Sequence, residues 1–128
     1  MEASSPRAIL FVKDLERAAA FYAGALAMKR VSGDKDHAVL ECDGFELIVH
    51  QIPKPIADTI VITEPPVRRV WGAVRLDFPV PSIADSRKLA RSLGGEIDDA
   101  PPAWADRNTN LFFGHDPEGN QFGISQRV

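Results

Sequence analysis

Arg7 and Arg75 are the residues whose chemistry most narrows what this chain can do. They stand 68 positions apart (75 − 7), and neighbours keep the same interval: Val12 with Val80, Leu15 with Ile83, Phe21 with Leu89. A guanidinium is always cationic and offers no lone pair to a metal ion. It can instead grip a carboxylate through two parallel hydrogen bonds. The acids nearest in the pattern are Asp77, on the stretch that carries Arg75, and Glu46. His50 lies two residues beyond Ile48, so on a strand both would share a face. His37 and His115 show no ligand spacing with another His, Cys or carboxylate, and read as exposed or structurally satisfied. There is no nucleophile–base pair and no phosphate loop; Gly94-Gly95 reads as a helix end. Trp104 follows Pro101-Pro102-Ala103. An indole on a proline-stiffened loop can stack on a flat ligand at low entropic cost. Its other readings are a core edge or a dimer interface. Trp71 reads as interface or core.

The 68-residue repeat supplies the frame for these side chains. Residues 8–12 are apolar and β-branched or aromatic, as in a strand. Asp14 is an N-cap with Glu16 in the first turn, and Leu15, Ala18, Ala19, Tyr22 and Leu26 follow helical spacing. Residues 31–35 read as a turn, 37–42 as a strand, Asp43-Gly44 as a hairpin turn and 45–51 as a strand. Module one is therefore a strand, a helix and about three strands. Residues 71–80 read as the first strand of module two. Ser82 caps a helix with Ile83, Leu89, Ala90 and Leu93 inward, and Ser86 between them. A strand over 111–114, the breaker-rich turn Asp116-Pro117-Glu118-Gly119-Asn120 and a last strand over 122–126 complete it. The expectation is a single domain, 1–128, of two modules at about 5–52 and 71–128. A Pro-rich connection at about 53–70 joins them, with 59–63 a candidate strand by composition.

Bulk properties fit a small intracellular domain. The chain has 128 residues, is 45 % apolar and 26 % charged, and carries a net charge of −3. That balance leaves no footprint for nucleic acid. One cysteine, Cys42, excludes an internal disulfide and suggests a reducing compartment; it reads as a buried, inert thiol. The first residues lack a signal peptide, and no apolar run is long enough to span a membrane. Cytoplasmic location follows as an expectation.

The stretch "VKDLERAAAFYAGAL" resembles the opening helix of the vicinal-oxygen-chelate superfamily, and "HDPEGNQFGIS" resembles its closing hairpin. That group includes glyoxalase I, extradiol dioxygenases, and fosfomycin and bleomycin resistance proteins. The resemblance covers essentially the whole chain. It implies an α+β fold of two βαβββ modules, with curved mixed sheets around a cavity and helices outside. One departure is Leu26-Ala27, where the family often has Leu-Gly. The resemblance also implies four metal-ligand positions, which fall here on Arg7, on Glu46 or Ile48, on Arg75 and on Gly123. No metal and no cofactor are expected from such a set.

Strand alternation then assigns faces. If Arg7 faces the cavity, so do Ile9 and Phe11, with Arg75, Asp77 and Pro79 on the matching strand. The other cavity residues are Glu46, Ile48 and His50, then Gln121, Gly123 and Ser125. The candidate ligand-binding set is Arg7, Phe11, Glu46, Ile48, His50, Arg75, Asp77, Trp104 and Gln121. Alternatively, Arg7 and Arg75 pair with Glu46 and Asp77 and fill the site themselves. The leading expectation is a metal-independent protein that binds or sequesters a small organic molecule, of bleomycin-resistance character, and forms a homodimer. Its rivals are a metal-dependent lyase or dioxygenase with atypical ligands such as His50 and Glu46, and a non-catalytic association scaffold with a plugged cavity.

Overall fold

A computed structural model describes residues 5–104 and 110–127. The chain runs β1 (Arg7–Val12), α1 (Leu15–Ala25), β2 (Lys29–Gly33), β3 (His37–Cys42), β4 (Phe45–Gln51) and α2 (Lys54–Ala57). It continues through β5 (Leu76–Val80), α3 (Ile83–Ser92), β6 (Glu96–Ile97), β7 (Phe112–His115) and β8 (Gln121–Gln126). The strands make two four-stranded mixed sheets of matching order, β1-β4-β3-β2 and β5-β8-β7-β6. In each, the first strand pairs parallel with the last, and the other pairings are antiparallel. The expected α+β fold of two βαβββ modules is therefore present. Among the described residues no helix is long and apolar enough to cross a membrane.

Asp14 caps α1 as its sequence suggests, accepting from the Arg17 amide at 3.2 Å. Leu15, Ala18, Ala19, Tyr22 and Ala25 make the buried stripe, with Phe21 beside it. Ser82 does the same for α3, accepting from the Asp85 amide. The helices end differently. The residue after the α3 cap is Gly94, at φ 95°, but the matching left-handed position after α1 is Ala27, at φ 54°. Asp43-Gly44 has positive φ at both residues, the geometry of the expected tight hairpin turn.

Several boundaries are corrected. Residues 31–35, read as a turn, fall partly in β2, an edge strand whose every residue is exposed. Without a buried face there is no alternation to see, and a bulge at Arg30/Ser32 breaks the register further. β6 is two residues long and left no sequence signal. The first strand of module two begins at Leu76, not Trp71, and Trp71 stands 96 % exposed. Residues 59–63 are not a strand, and the regular element of the connection is the short α2. The strand expected at 111–114 lies at Phe112–His115. Leu89, expected in the α3 core face, is 43 % exposed. Ile83, Ser86 and Ala90 set that stripe, and Leu89 lies about 100° round the helix from Ala90.

One core serves both modules. Val12, Leu40, Leu47 and Val49 of the first sheet, and Phe78, Val80, Phe122 and Ile124 of the second, join α1 and α3 in it. Tyr22 of α1 meets Phe78 and Phe122 edge-on, at ring distances of 6.5 and 6.2 Å. Edge-on pairs add to plain apolar burial. Module one's helix thus packs on module two's sheet. Cys42 is buried as expected, and burial pushes its thiol pKa up, partly offset by Arg127.

Candidate functional site

Strand register builds the candidate site. On the first sheet Arg7 faces Glu46, Ile9 faces Ile48, and Phe11 faces His50. On β3 the same rows continue as Glu41, Val39 and His37. The face away from the core is therefore a grid with one charged, one aliphatic and one aromatic row. Arg7 Nη2 pairs with Glu46 Oε1 at 3.1 Å. Phe11 lies 5.7 Å from the His50 ring, and His37 stacks on His50 at 6.4 Å. His50 Nδ1 donates to the Gln51 carbonyl at 2.9 Å. Ile9 and Phe11 remain 53 % and 59 % exposed.

On the second sheet Asp77, Gly123 and Phe113 share a row. Arg75 forks onto Asp77, Nε to Oδ1 at 2.9 Å and Nη2 to Oδ2 at 3.1 Å. Its guanidinium also sits 4.4 Å above the Phe113 ring. Trp104 lies 5.9 Å from Phe113 and is 68 % exposed. Gly123 makes this arrangement possible: a Cβ there would stand 2.3 Å from Asp77 Oδ1.

Eight of the nine expected residues thus fall into two groups. Arg7, Phe11, Glu46, Ile48 and His50 share the first sheet's open face. Arg75, Asp77 and Trp104 gather around Phe113 on the second. Gln121 stands apart, its side-chain amide donating to the Val70 carbonyl at 3.4 Å and bordering a cavity of about 390 Å³ between β1 and β5. Neither arginine lines that cavity. Both expected Arg–carboxylate pairs are formed.

The register also narrows the positions that the family resemblance implies for a metal. Arg75 precedes Leu76, whose partner on β8 is Phe122, and Gly123 is the next residue. Arg7 precedes Ala8, whose partner on β4 is Leu47, and the next residue is Ile48. By the repeat, the four implied positions are then Arg7, Ile48, Arg75 and Gly123, and Glu46 is paired with Arg7. Two cations, an alkyl group and a hydrogen do not fit a divalent ion. Among the described residues no three His, Cys, Asp or Glu side chains converge as a metal site.

Some connecting residues were invisible in the sequence. Asp116 is fully buried and accepts from Tyr22 Oη at 2.8 Å and Asn120 Nδ2 at 2.9 Å. Burial, then Asp116, hold the Tyr22 phenol well above its ordinary pKa. Glu118 accepts from the Lys13 and Asp14 amides at 2.7 and 2.8 Å, tying the module-two turn to the start of α1. Burial raises its pKa and those two donors pull it back. Gln51 and Gln126 each accept from a first helical amide, that of Leu15 and of Ile83, at 3.0 Å. The signal for Glu118 and Asp116 was the turn motif itself, which reads equally as a plain hairpin turn.

Comparisons agree with this fold. A glyoxalase-like domain model matches residues 8–125. No curated protein matches the chain. A glyoxalase/bleomycin resistance protein from Albidiferax ferrireducens superposes with a TM-score of 0.62 at 18 % identity, over 96 % of this chain and 98 % of that one. The fosfomycin resistance protein FosX from Listeria monocytogenes gives 0.65 at 14 % identity, over 100 % and 96 %. An integron cassette protein from the mobile metagenome of V. cholerae gives 0.63 at 23 % identity, over 100 % and 98 %. With the family match spanning both modules and the same fold in these proteins, the chain belongs to the glyoxalase-like domain family of the vicinal-oxygen-chelate superfamily.

Proposed function

We propose that this chain binds a small organic molecule without a divalent metal, as a cytoplasmic homodimer, in the manner of a drug- or metabolite-sequestering protein. The observation that carries this reading is the occupancy of the four metal positions by Arg7, Ile48, Arg75 and Gly123, with Asp77 lying in the space a residue-123 side chain would need. The preferred ligand is a planar organic anion. Arg75 spends two donors on Asp77 and keeps three for a ligand carboxylate. Phe113 and the exposed Trp104 offer an aromatic surface beside it. The helix-covered faces of both sheets share one core, so the open faces of one chain do not cover each other. In a dimer, the grid carrying Arg7, Phe11, Ile48 and His50 would meet the partner's open face. That pairing would also bring the two arginine clusters onto one ligand.

Losing one Arg–carboxylate contact in a partly buried cleft costs about 1.5–3 kcal/mol, or roughly ten- to a hundredfold in affinity. The test is a screen of aromatic carboxylates by Trp fluorescence on chelator-treated protein. Hits should bind Arg75→Ala ten- to a hundredfold more weakly, and Trp104→Phe should lose most of the signal. Equal binding to wild type and Arg75→Ala would end the reading. The closed Arg7–Glu46 and Arg75–Asp77 pairs favour a second reading, an association scaffold, which predicts a dimer and no hits.

A further inference from the structure

A cavity of about 390 Å³ opens between the two first strands, on the sides that face the helices. Ile9 and Gln121, from the open faces, border it as well, so its mouth lies at the gap between the two strands, while neither Arg7 nor Arg75 lines it. Its volume falls within the range of small-ligand sites. Ala8, Leu10 and Leu47 wall it from module one, and Leu76, Phe78 and Phe122 from module two. Tyr22 reaches it from α1, but its hydroxyl is already given to Asp116. That inner wall offers water few partners and favours an apolar guest.

The lining holds one ionised side chain, Arg69, among the described residues. Arg69 has no carboxylate within ion-pair distance among the described residues. It donates instead to Asn120 Oδ1, and Asn120 Nδ2 donates on to the buried Asp116. That acid sits behind the amide, satisfied by Tyr22, Asn120 and the Glu118 amide. Arg69 is thus aimed by a neutral group and retains most of its donors.

The backbone places it firmly. The Arg69 amide donates to the Gly119 carbonyl at 2.8 Å, and the neighbouring Arg68 forks onto Asp98 at 2.9 and 2.8 Å. Gly119, at φ 86°, lies so close to the connection that an added Cβ would stand 2.1 Å from the Val67 carbonyl oxygen. The turn motif therefore holds Arg69 at the cavity, and Gln121 adds an amide on the same rim.

We infer that this inter-module cavity is a second binding site, for an amphipathic monoanion whose compact apolar tail fills the space between β1 and β5 and whose carboxylate meets Arg69. A carboxylate suits the site because a lone guanidinium at an apolar mouth matches it bidentately. A cation would meet Arg69 unopposed, and a neutral apolar guest would leave that charge unused.

The test uses octanoate as probe, with the whole chain and amide NMR. Octanoate should shift the amides of Leu10 and Leu76 and of residues 69–74, and leave the Asp77–Phe113 row unmoved. Arg69→Ala should weaken it at least tenfold. Ala8→Phe, which fills the cavity and leaves Arg69 in place, should abolish it. Arg91→Ala, whose residue lines no part of the cavity, should leave it unchanged. Absence of saturable binding at millimolar octanoate, shifts confined to the Arg75–Phe113 region, or equal binding to Arg69→Ala or Ala8→Phe would each overturn the inference. The aromatic-carboxylate screen reads a different cluster, so either site can fail without the other.

Discussion

Glu118 is a single carboxylate that joins two modules. The Lys13 and Asp14 amides each find one of its oxygens, and 104 or more residues separate donor from acceptor. A glutamine there keeps one carbonyl oxygen and turns an NH₂ toward the other amide. Leaving a buried donor unsatisfied costs about 1–3 kcal/mol. Glu118→Gln should therefore lower stability by that amount in urea unfolding. The pH dependence has a definite sign. The folded-state pKa of Glu118 is raised, chiefly by burial, so its protonated form is favoured on folding. Its contribution is full below the ordinary glutamate pKa and is lost as pH rises through the raised value. The wild type should gain on Glu118→Gln as pH falls from 7 toward 4; a constant or shrinking difference would contradict this. Among site residues, the Arg7–Glu46 and Arg75–Asp77 pairs were legible, because alternation puts each acid on its arginine's face. The role of Gly123 in making room for Asp77, and that of Glu118, were not. Both depend on contacts across strands or modules that no local pattern encodes.

At the scale of elements, α1 and α3 were the most legible part. Each has an oxygen-bearing cap residue and an apolar stripe, and both signals are local. β3 and β4 were legible for the same reason, since one face of each is buried and alternates. β2 was not, because an exposed edge strand has no buried face to impose a period, and β6 was not, because two residues are too few to show one. The departure from Leu-Gly at Leu26-Ala27 has a visible consequence. Ala27 is held at φ 54°, where a Cβ is disfavoured by roughly 1–2 kcal/mol. Ala27→Gly relieves that strain but loosens the unfolded chain by up to about 1 kcal/mol. The net expectation is a stabilisation of about 0.5–1 kcal/mol, read as a higher urea midpoint at unchanged m-value. No change, or a loss, would show that the turn is not strained by the methyl group.

At the scale of the whole molecule, the repeat in sequence reappears as two sheets of matching order, yet burial is not repeated: Phe21 is fully buried while its repeat mate Leu89 is not. The modules share one core on their helix sides and leave Ile9 and Phe11 uncovered on the first sheet. Large apolar side chains left in a row on an open sheet face mark an interaction surface. Light scattering should give about twice the 14.0 kDa chain mass at micromolar concentration. Ile9→Asp with Phe11→Asp should give a folded monomer by circular dichroism; an undiminished dimer would place the interface elsewhere.

We propose that the glyoxalase-like frame operates here without a metal, because Arg7, Ile48, Arg75 and Gly123 stand where the family resemblance implies four ligands. Elemental analysis of untagged protein tests it most directly. Manganese, iron, cobalt, nickel and zinc should each be far below one per chain, before and after incubation with the divalent ions and desalting. Any of them retained at close to one per chain would contradict it.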